Sequence, residues 1–273
     1  MSYLTEKIDA RPAPGHIWLV GAGPGAPDLI TVRGLNALKA ADVVVYDRLV
    51  DPTLLDHCRP VTERIYVGKQ RNRHSMPQDA INALLVTQAR MGRTVVRLKG
   101  GDPFIFGRGG EEMLVAREHG IGVSIVPGIT AAAGCAAATG MPLTHRHVAG
   151  SVTLLTAHRC ENGPEHDWAA LTSDRRQTLV FYMGLSQALD VQTELLLHGL
   201  PATTPVALIS NGTSGRQRAS RCLLDALAHT AAAGEHASPC LIVVGEVVTL
   251  ADPVLAPWAS LAQSQPDSSL CTA

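Results

Sequence analysis

Short apolar runs alternating with stretches of helical period organise this chain. The runs Ile17–Ala22, Asp42–Tyr46, Arg64–Val67, Thr94–Leu98 and Gly122–Val126 form a first set of predicted strands. Ser151–Thr156, Gln177–Tyr182, Pro205–Ser210 and Cys240–Gly245 form a second. Several are continuously apolar, as strands covered on both faces are. Helical patterns lie between them. One runs from Asp28 to Ala40. Another, Met76–Met91, starts on a capping box of Ser75 with Gln78 three residues on, and turns Ala80, Leu84, Leu85, Val86 and Met91 inward. A third, Ser186–His198, places Leu189, Thr193, Leu196 and Leu197 on one face, and Gly199 supplies its stop.

This alternation predicts an α/β fold. The break between the two sets falls in Gly128–Pro142, so one α/β domain is expected over residues 16–140 and a second over 141–250. Residues 1–15 and 251–273, rich in Pro, Ser, Ala and Asp, are expected to fray.

Composition then removes several function classes. A net charge of −1 gives no general pull toward nucleic acid or an acidic membrane. Three Phe, four Tyr and three Trp in 273 residues are few for stacking on single-stranded bases. Six cysteines without a C-x-x-C pair read as reduced thiols of a cytoplasmic protein, with Cys135 and Cys240 inert in the core. Met1–Gly15 lacks the apolar centre of an export signal. Gly120–Thr144 carries no charge, but Pro127, Pro142 and its Ala, Gly and Thr content describe a buried helix with flanking loops, not a membrane span. His145-Arg-His147 and His158 lack the acidic or cysteine partner that a metal site would add, so no metal is expected.

Two glycine-rich turns carry the candidate chemistry. Arg97-Leu-Lys-Gly-Gly-Asp-Pro-Phe-Ile-Phe-Gly-Arg-Gly-Gly-Glu-Glu112 follows a predicted strand and gathers glycine and charge in one loop. Glycine lets main-chain amides approach a ligand that a Cβ would hold off. Val20-Gly-Ala-Gly-Pro-Gly25 follows the first strand. Gly21, Gly23 and Ala26 match a dinucleotide fingerprint, with Asp47 about 20 residues on, which keeps a NAD-dependent oxidoreductase as an alternative. Pro24 and Pro27 count against it, because they delay the helix that would receive a pyrophosphate. No G-x-x-x-x-G-K-[ST] is present. Further glycine loops, Pro127–Thr130, Met183-Gly184 and Asn211-Gly-Thr213, end strands of both sets and are expected to face one cleft.

These blocks, with Asp42-Val-Val-Val-Tyr-Asp-Arg-Leu-Val50, Val67-Gly-Lys69, Val126-Pro-Gly-Ile-Thr-Ala131, Met141-Pro-Leu-Thr-His-Arg146 and Phe181-Tyr-Met-Gly184, occur in the order seen in the tetrapyrrole methylase family. Over about residues 16–250 the chain resembles its members that methylate uroporphyrinogen III. The resemblance implies two α/β domains flanking an active-site cleft, a homodimer, and S-adenosylmethionine as methyl donor, leaving S-adenosylhomocysteine. It implies two successive C-methylations giving precorrin-2, which serves sirohaem, cobalamin and haem d1 synthesis. A same-fold enzyme acting on a later corrin precursor is the alternative within the family.

Carried over by position, the donor contacts are Pro24, Gly100, Gly101, Asp102, Ile105, Thr130, Ala131, Met183 and Gly212. The proton acceptor and donor fall on Asp47 and Lys69, and Arg108 completes the candidate catalytic set. Arg108 stays protonated at any working pH and is no base. Asp47 can instead serve as a salt-bridged or capping carboxylate. A substrate with eight carboxylates wants a basic wall, and Arg48, Arg108 and Arg146 supply one, with Glu111 orienting a guanidinium and Tyr182 nearby. Arg71 and Arg73 read equally well as solvated loop charges. Two positions depart from the family pattern: Ala26, where Asp is frequent, and Ala138, where Tyr is common.

Overall fold

A computed structural model of the chain describes residues 15–68, 76–158 and 165–251. Strand pairing divides it into two five-stranded sheets. The first contains β1 (His16–Gly21), β2 (Val43–Tyr46), β3 (Glu63–Tyr66), β4 (Thr94–Lys99) and β5 (Gly122–Val126), in the order β3-β2-β4-β1-β5. All four pairings are parallel. Every carboxyl end therefore emerges along one rim, where open α/β sheets place their ligands. Val43, Val44 and Val45 are all fully buried, which explains the unbroken apolar run of β2.

Helix α1 (Val32–Ala40) and a 3₁₀ segment, Pro52–His57, cover one face through Ala37, Leu38, Leu54 and Leu55. Thr31 caps α1 by accepting from Gly34 N at 3.1 Å. Helices α2 (Gln78–Arg90) and α3 (Gly109–Glu118) cover the other face through Ile81, Leu85, Ala89 and Ala116.

Two sequence expectations about α2 need correction. Gln78 opens the helix and gives its side chain to Asn82 and Glu112, while Ser75 lies outside the described residues. The buried face is Ile81, Asn82, Leu85, Val86 and Ala89, whereas Ala80 and Met91 are exposed. Apolar residues occupy more than one stripe of this helix, and the sheet selects the stripe that meets Val43, Val45 and Val95.

The second sheet orders β6 (Ser151–Thr156), β7 (Gln177–Tyr182), β10 (Cys240–Val244), β8 (Pro205–Ser210) and β9 (Arg218–Leu223) as β6-β7-β10-β8-β9. Only β6 and β7 pair in parallel. Strand β9 was not foreseen: Arg-Ala-Ser-Arg-Cys-Leu has no apolar run, because an edge strand half open to solvent needs none. Helices α5 (Trp168–Ser173), α6 (Ala188–Leu197) and α7 (Leu227–Ala232) cover one face. On α6 the buried residues are Ala188, Val191 and Leu195, while Leu189 and Leu197 face outward, a second correction of the same kind.

Helix α4 (Ala131–Ala138) covers the opposite face, with Ala132 and Cys135 in one cluster with Val180, Ala207, Ile209, Leu241 and Val243. A division at 140/141 groups this helix with the first strand set, but its buried side packs on the second sheet. Burial pushes the Cys135 and Cys240 thiols up to about 12, consistent with inert core sulfur. Among the described residues, no helix is long and apolar enough to cross a membrane.

Candidate active site between the two sheets

The rim of the first sheet brings the sequence-distant glycine loops into contact. Ala22 N donates to Lys99 O at 2.7 Å and Gly101 N to Gly23 O at 2.7 Å, so the β1–β4 pairing continues into the two turns. A Cβ on Gly21 would sit 2.6 Å from Gly101 O and from the Gly128 main chain. Gly21 and Gly128 are thus needed for loop-on-loop packing. Gly101 differs. It adopts φ +68°, and the nearest atom to a Cβ there would be Ala131 N, 4.0 Å away. This glycine borders open space, a cradle that a side chain would fill.

Asp102 fastens the rim: Oδ1 accepts from Phe104 N (2.8 Å) and Oδ2 from Gly128 N (3.0 Å). Both oxygens therefore bind main chain, a role the sequence reading did not foresee beside the expected donor contact. Beyond it, Ile105 is partly exposed, and Phe106 and Arg108 hold left-handed backbone at φ 51° and 57°. Such conformations in non-glycine residues are strained and cluster at functional loops.

The second sheet closes the arrangement. Asn211 (φ 48°) and Thr213 (φ 63°) shape the turn after β8. Thr213 Oγ1 accepts from Ala26 N at 3.0 Å, and a Cβ on Gly25 would lie 2.7 Å from Gly212 O. Gly212 itself is seated so that a Cβ would overlap Cys135 Sγ. Pro24 lies against Gly134 of α4. Ala26, one of the two departures, is thereby buried at the contact between the sheets. Met183, with φ 55° at the end of β7, is half exposed.

Tyr182 joins the sheets. Its hydroxyl pairs with Thr130 Oγ1 at 2.6 Å and accepts from Ala132 N at 3.0 Å, while its ring meets Phe106 at 4.9 Å. Burial pushes this phenol up. It is therefore a buried linker whose polar atom is committed to α4. The dinucleotide reading needs a helix beginning at the Gly21–Gly25 turn, and the next α-helix starts only at Val32.

The sequence reading missed a buried ionic array beneath the rim. Arg97 and Lys99 are each 4% exposed, and Glu112 is 2% exposed. Arg97 reaches Glu112 Oε1 (3.1 Å) and Asp47 Oδ2 (2.9 Å), and Lys99 Nζ meets both Glu112 oxygens at 2.9 Å. Gln78 Nε2 adds a bond to Glu112 Oε1 at 3.2 Å. Burial and the Arg97 charge push the Lys99 ammonium down. The available signal was the pair Arg97 and Lys99 inside a strand that should be apolar on both faces.

Asp47 thus takes the salt-bridged form, with Oδ1 also accepting from Leu49 N at 3.1 Å; its side chain remains 26% exposed. Arg108 forms a fork with Glu111, at 2.8 and 2.7 Å, which holds the guanidinium up and the carboxyl down from their usual ranges. Glu111 therefore orients Arg108, as the spacing allowed. Arg48 and Arg146 are exposed, Arg146 within the turn His145–Ala149. Lys69, Arg71 and Arg73 lie outside the described residues. Among the described residues, no group of three His, Cys, Asp or Glu is placed to hold a metal.

Comparison with known proteins agrees with this geometry. Residues 16–228 match the family described as Tetrapyrrole (Corrin/Porphyrin) Methylases. Siroheme synthase 1 of Aeromonas hydrophila is 55% identical over 244 residues, 89% of this chain and 52% of that protein. Siroheme synthase of Pseudomonas fluorescens is 51% identical over 264 residues, 96% of this chain and 56% of that protein. The chain spans about half the length of the curated relatives it matches. The crystal structure of uroporphyrin-III C-methyltransferase from Thermus thermophilus complexed with S-adenosylhomocysteine superposes with a TM-score of 0.74 at 38% identity, covering 86% of this chain and all of that one. A cobalt precorrin-4 methyltransferase superposes at 0.77 with 28% identity, covering 87% and 96%. With two sheets, glycine rims that meet between them and a match over most of its length, this chain belongs to the tetrapyrrole methylase family.

Proposed function

We propose that the chain methylates two carbons of uroporphyrinogen III in succession, giving precorrin-2, with S-adenosylmethionine as donor. The observation that supports this reading is the open space at Gly101, where a Cβ would come no nearer to another atom than Ala131 N at 4.0 Å; in this reading Pro24, Gly100, Asp102, Ile105, Thr130, Met183 and Gly212 complete the donor site. Main-chain amides and carbonyls of these glycine turns suit the donor's hydroxyl, ammonium and carboxylate groups. The bound donor supplies an electrophilic methyl group. The protein's own task is mainly positioning, which holds two reactants in line. Asp47, which follows β2 and keeps a partly exposed side chain, is the proton acceptor in this reading, and Lys69 the donor.

Arg108, braced by Glu111, and the exposed Arg48 and Arg146 hold the carboxylates of the macrocycle. Tyr182 acts through its ring against Phe106 at the border of the cleft. The two lobes part in the Pro127–Thr130 connection, ahead of α4. The chain works in the cytoplasm as a homodimer, and its product feeds the routes to sirohaem, cobalamin and haem d1.

Anaerobic incubation with uroporphyrinogen III and labelled donor is expected to give a doubly methylated tetrapyrrole; no labelled product defeats the reading. Arg108→Ala and Arg146→Ala are expected to weaken tetrapyrrole binding at least tenfold with S-adenosylhomocysteine affinity unchanged. Equal loss of both ligands would reassign these arginines to the fold.

A further inference from the structure

The array under the rim is more elaborate than a salt bridge to one aspartate requires. Two cations and one carboxylate are almost wholly removed from water, a costly arrangement that apolar residues of similar size usually match or exceed in stability. A purely structural strand would do better with Val or Leu at positions 97 and 99. The network also has direction. Glu112 on α3 takes Arg97 Nε with one oxygen and Lys99 with both, and Gln78 on α2 steadies the same carboxylate. Arg97 is further tied to the Val45 and Leu98 carbonyls. Its remaining nitrogen, Nη2, meets the partly exposed Asp47.

We propose that Glu112 and Lys99 are positioning residues: they clamp Arg97 onto Asp47 and set the field in which that carboxylate exchanges its proton. This rests on Asp47 being the proton acceptor of the proposed methylation. The charged and titratable groups around Asp47 are Arg97 and Lys99 from β4, Glu112 through Arg97, Arg48 on its own loop, and the phenols of Tyr46 and Tyr66, which end β2 and β3 and pack edge to face.

A shared field makes a prediction that mere structural support does not. Glu112→Gln removes an anion with little change of shape, so the Asp47 carboxyl should titrate at lower pH. Lys99→Met removes a cation, so it should titrate at higher pH. The two shifts are expected to be opposite in sign. The readouts are the carboxyl ¹³C resonance, assigned by its loss in Asp47→Asn, and the acid limb of kcat.

The double variant Lys99→Met/Glu112→Gln leaves neither partner charge alone and so guards against failure to fold. Its Asp47 midpoint should return near that of the unsubstituted chain. Its kcat should fall about tenfold, with KM and S-adenosylhomocysteine affinity unchanged, because Arg97 has lost its clamp. Shifts of the same sign, no shift, or an undiminished kcat in the double variant would overturn the proposal. Full methylation by Asp47→Asn would instead remove Asp47 from the chemistry, and the resonance would still decide whether the array governs its charge.

Discussion

Strands β4 and β10 occupy the same place in the two halves of the molecule, yet their chemistry is opposite. Each is the middle strand of a five-stranded sheet, and each is buried. Strand β10, Cys-Leu-Ile-Val-Val, is wholly apolar, while β4, Thr-Val-Val-Arg-Leu-Lys, buries two cations in its second half. Direction explains the contrast. β4 runs parallel to its neighbours and ends on the rim at Gly100–Asp102. β10 is antiparallel to β7 and β8, so its carboxyl end leaves the sheet opposite the turns at Met183 and Asn211. Of this pair, the strand that delivers its end to the site buries charge, and the strand that only fills a core carries none.

The contrast can be broken most forcefully at Glu112. Glu112→Ala leaves Arg97 and Lys99 buried without their carboxylate and should cost about 4 kcal/mol in chemical denaturation. Ile242→Val at the centre of β10 should cost only about 1 kcal/mol. Comparable losses would show that the ions are no more critical than a core methyl.

The next largest effect separates packing glycines from a ligand-facing one. Gly21→Ala forces a Cβ against rigid main chain and should destabilise by about 3 kcal/mol. Gly101→Ala comes no closer than 4.0 Å to another atom and should cost about 1 kcal/mol for its left-handed backbone, but should abolish donor binding in a calorimetric titration. Retained binding there would misplace the cradle.

Tyr182→Phe tests the docking of α4 on β7, since it removes the hydroxyl and keeps the ring against Phe106. It leaves Thr130 Oγ1 and Ala132 N without their partner and should lower stability by about 1–2 kcal/mol. The smallest effect concerns the second sheet. His236 is buried between Ser210 and Ser220, and desolvation lowers it from 6.5. The unfolded chain then binds the proton more readily, so this contribution to stability is present above about pH 6.5 and declines as pH falls below it. His236→Asn should flatten that dependence. An unchanged slope between pH 5 and 7 would assign it elsewhere.

How legible each part was follows from the kind of signal it left. Continuously apolar strands such as β2 and β10 are readable end to end, because burial on both faces excludes polar residues. Strand β9 was not, since an edge strand takes its place from pairing with β8. Helix faces were only partly readable: α2 and α6 each offer several apolar stripes, and the sheet chose among them. Of the candidate site, the glycine turns and the Arg108–Glu111 pair are local and visible in the sequence. The Tyr182 link and the array around Glu112 join residues 13 to 52 positions apart, and no local pattern marks them.

Taken alone, the sequence determined where the strands other than β9 lie, that glycine turns end several of them, and which family's motifs they form, because these depend on short-range periodicity and backbone freedom. Tertiary structure alone decided which glycines pack and which border open space, that α4 belongs to the second sheet's core, and that Arg97 meets Asp47. Those outcomes depend on which strand ends a parallel sheet sets side by side, and on how little room or water the second sheet leaves between them.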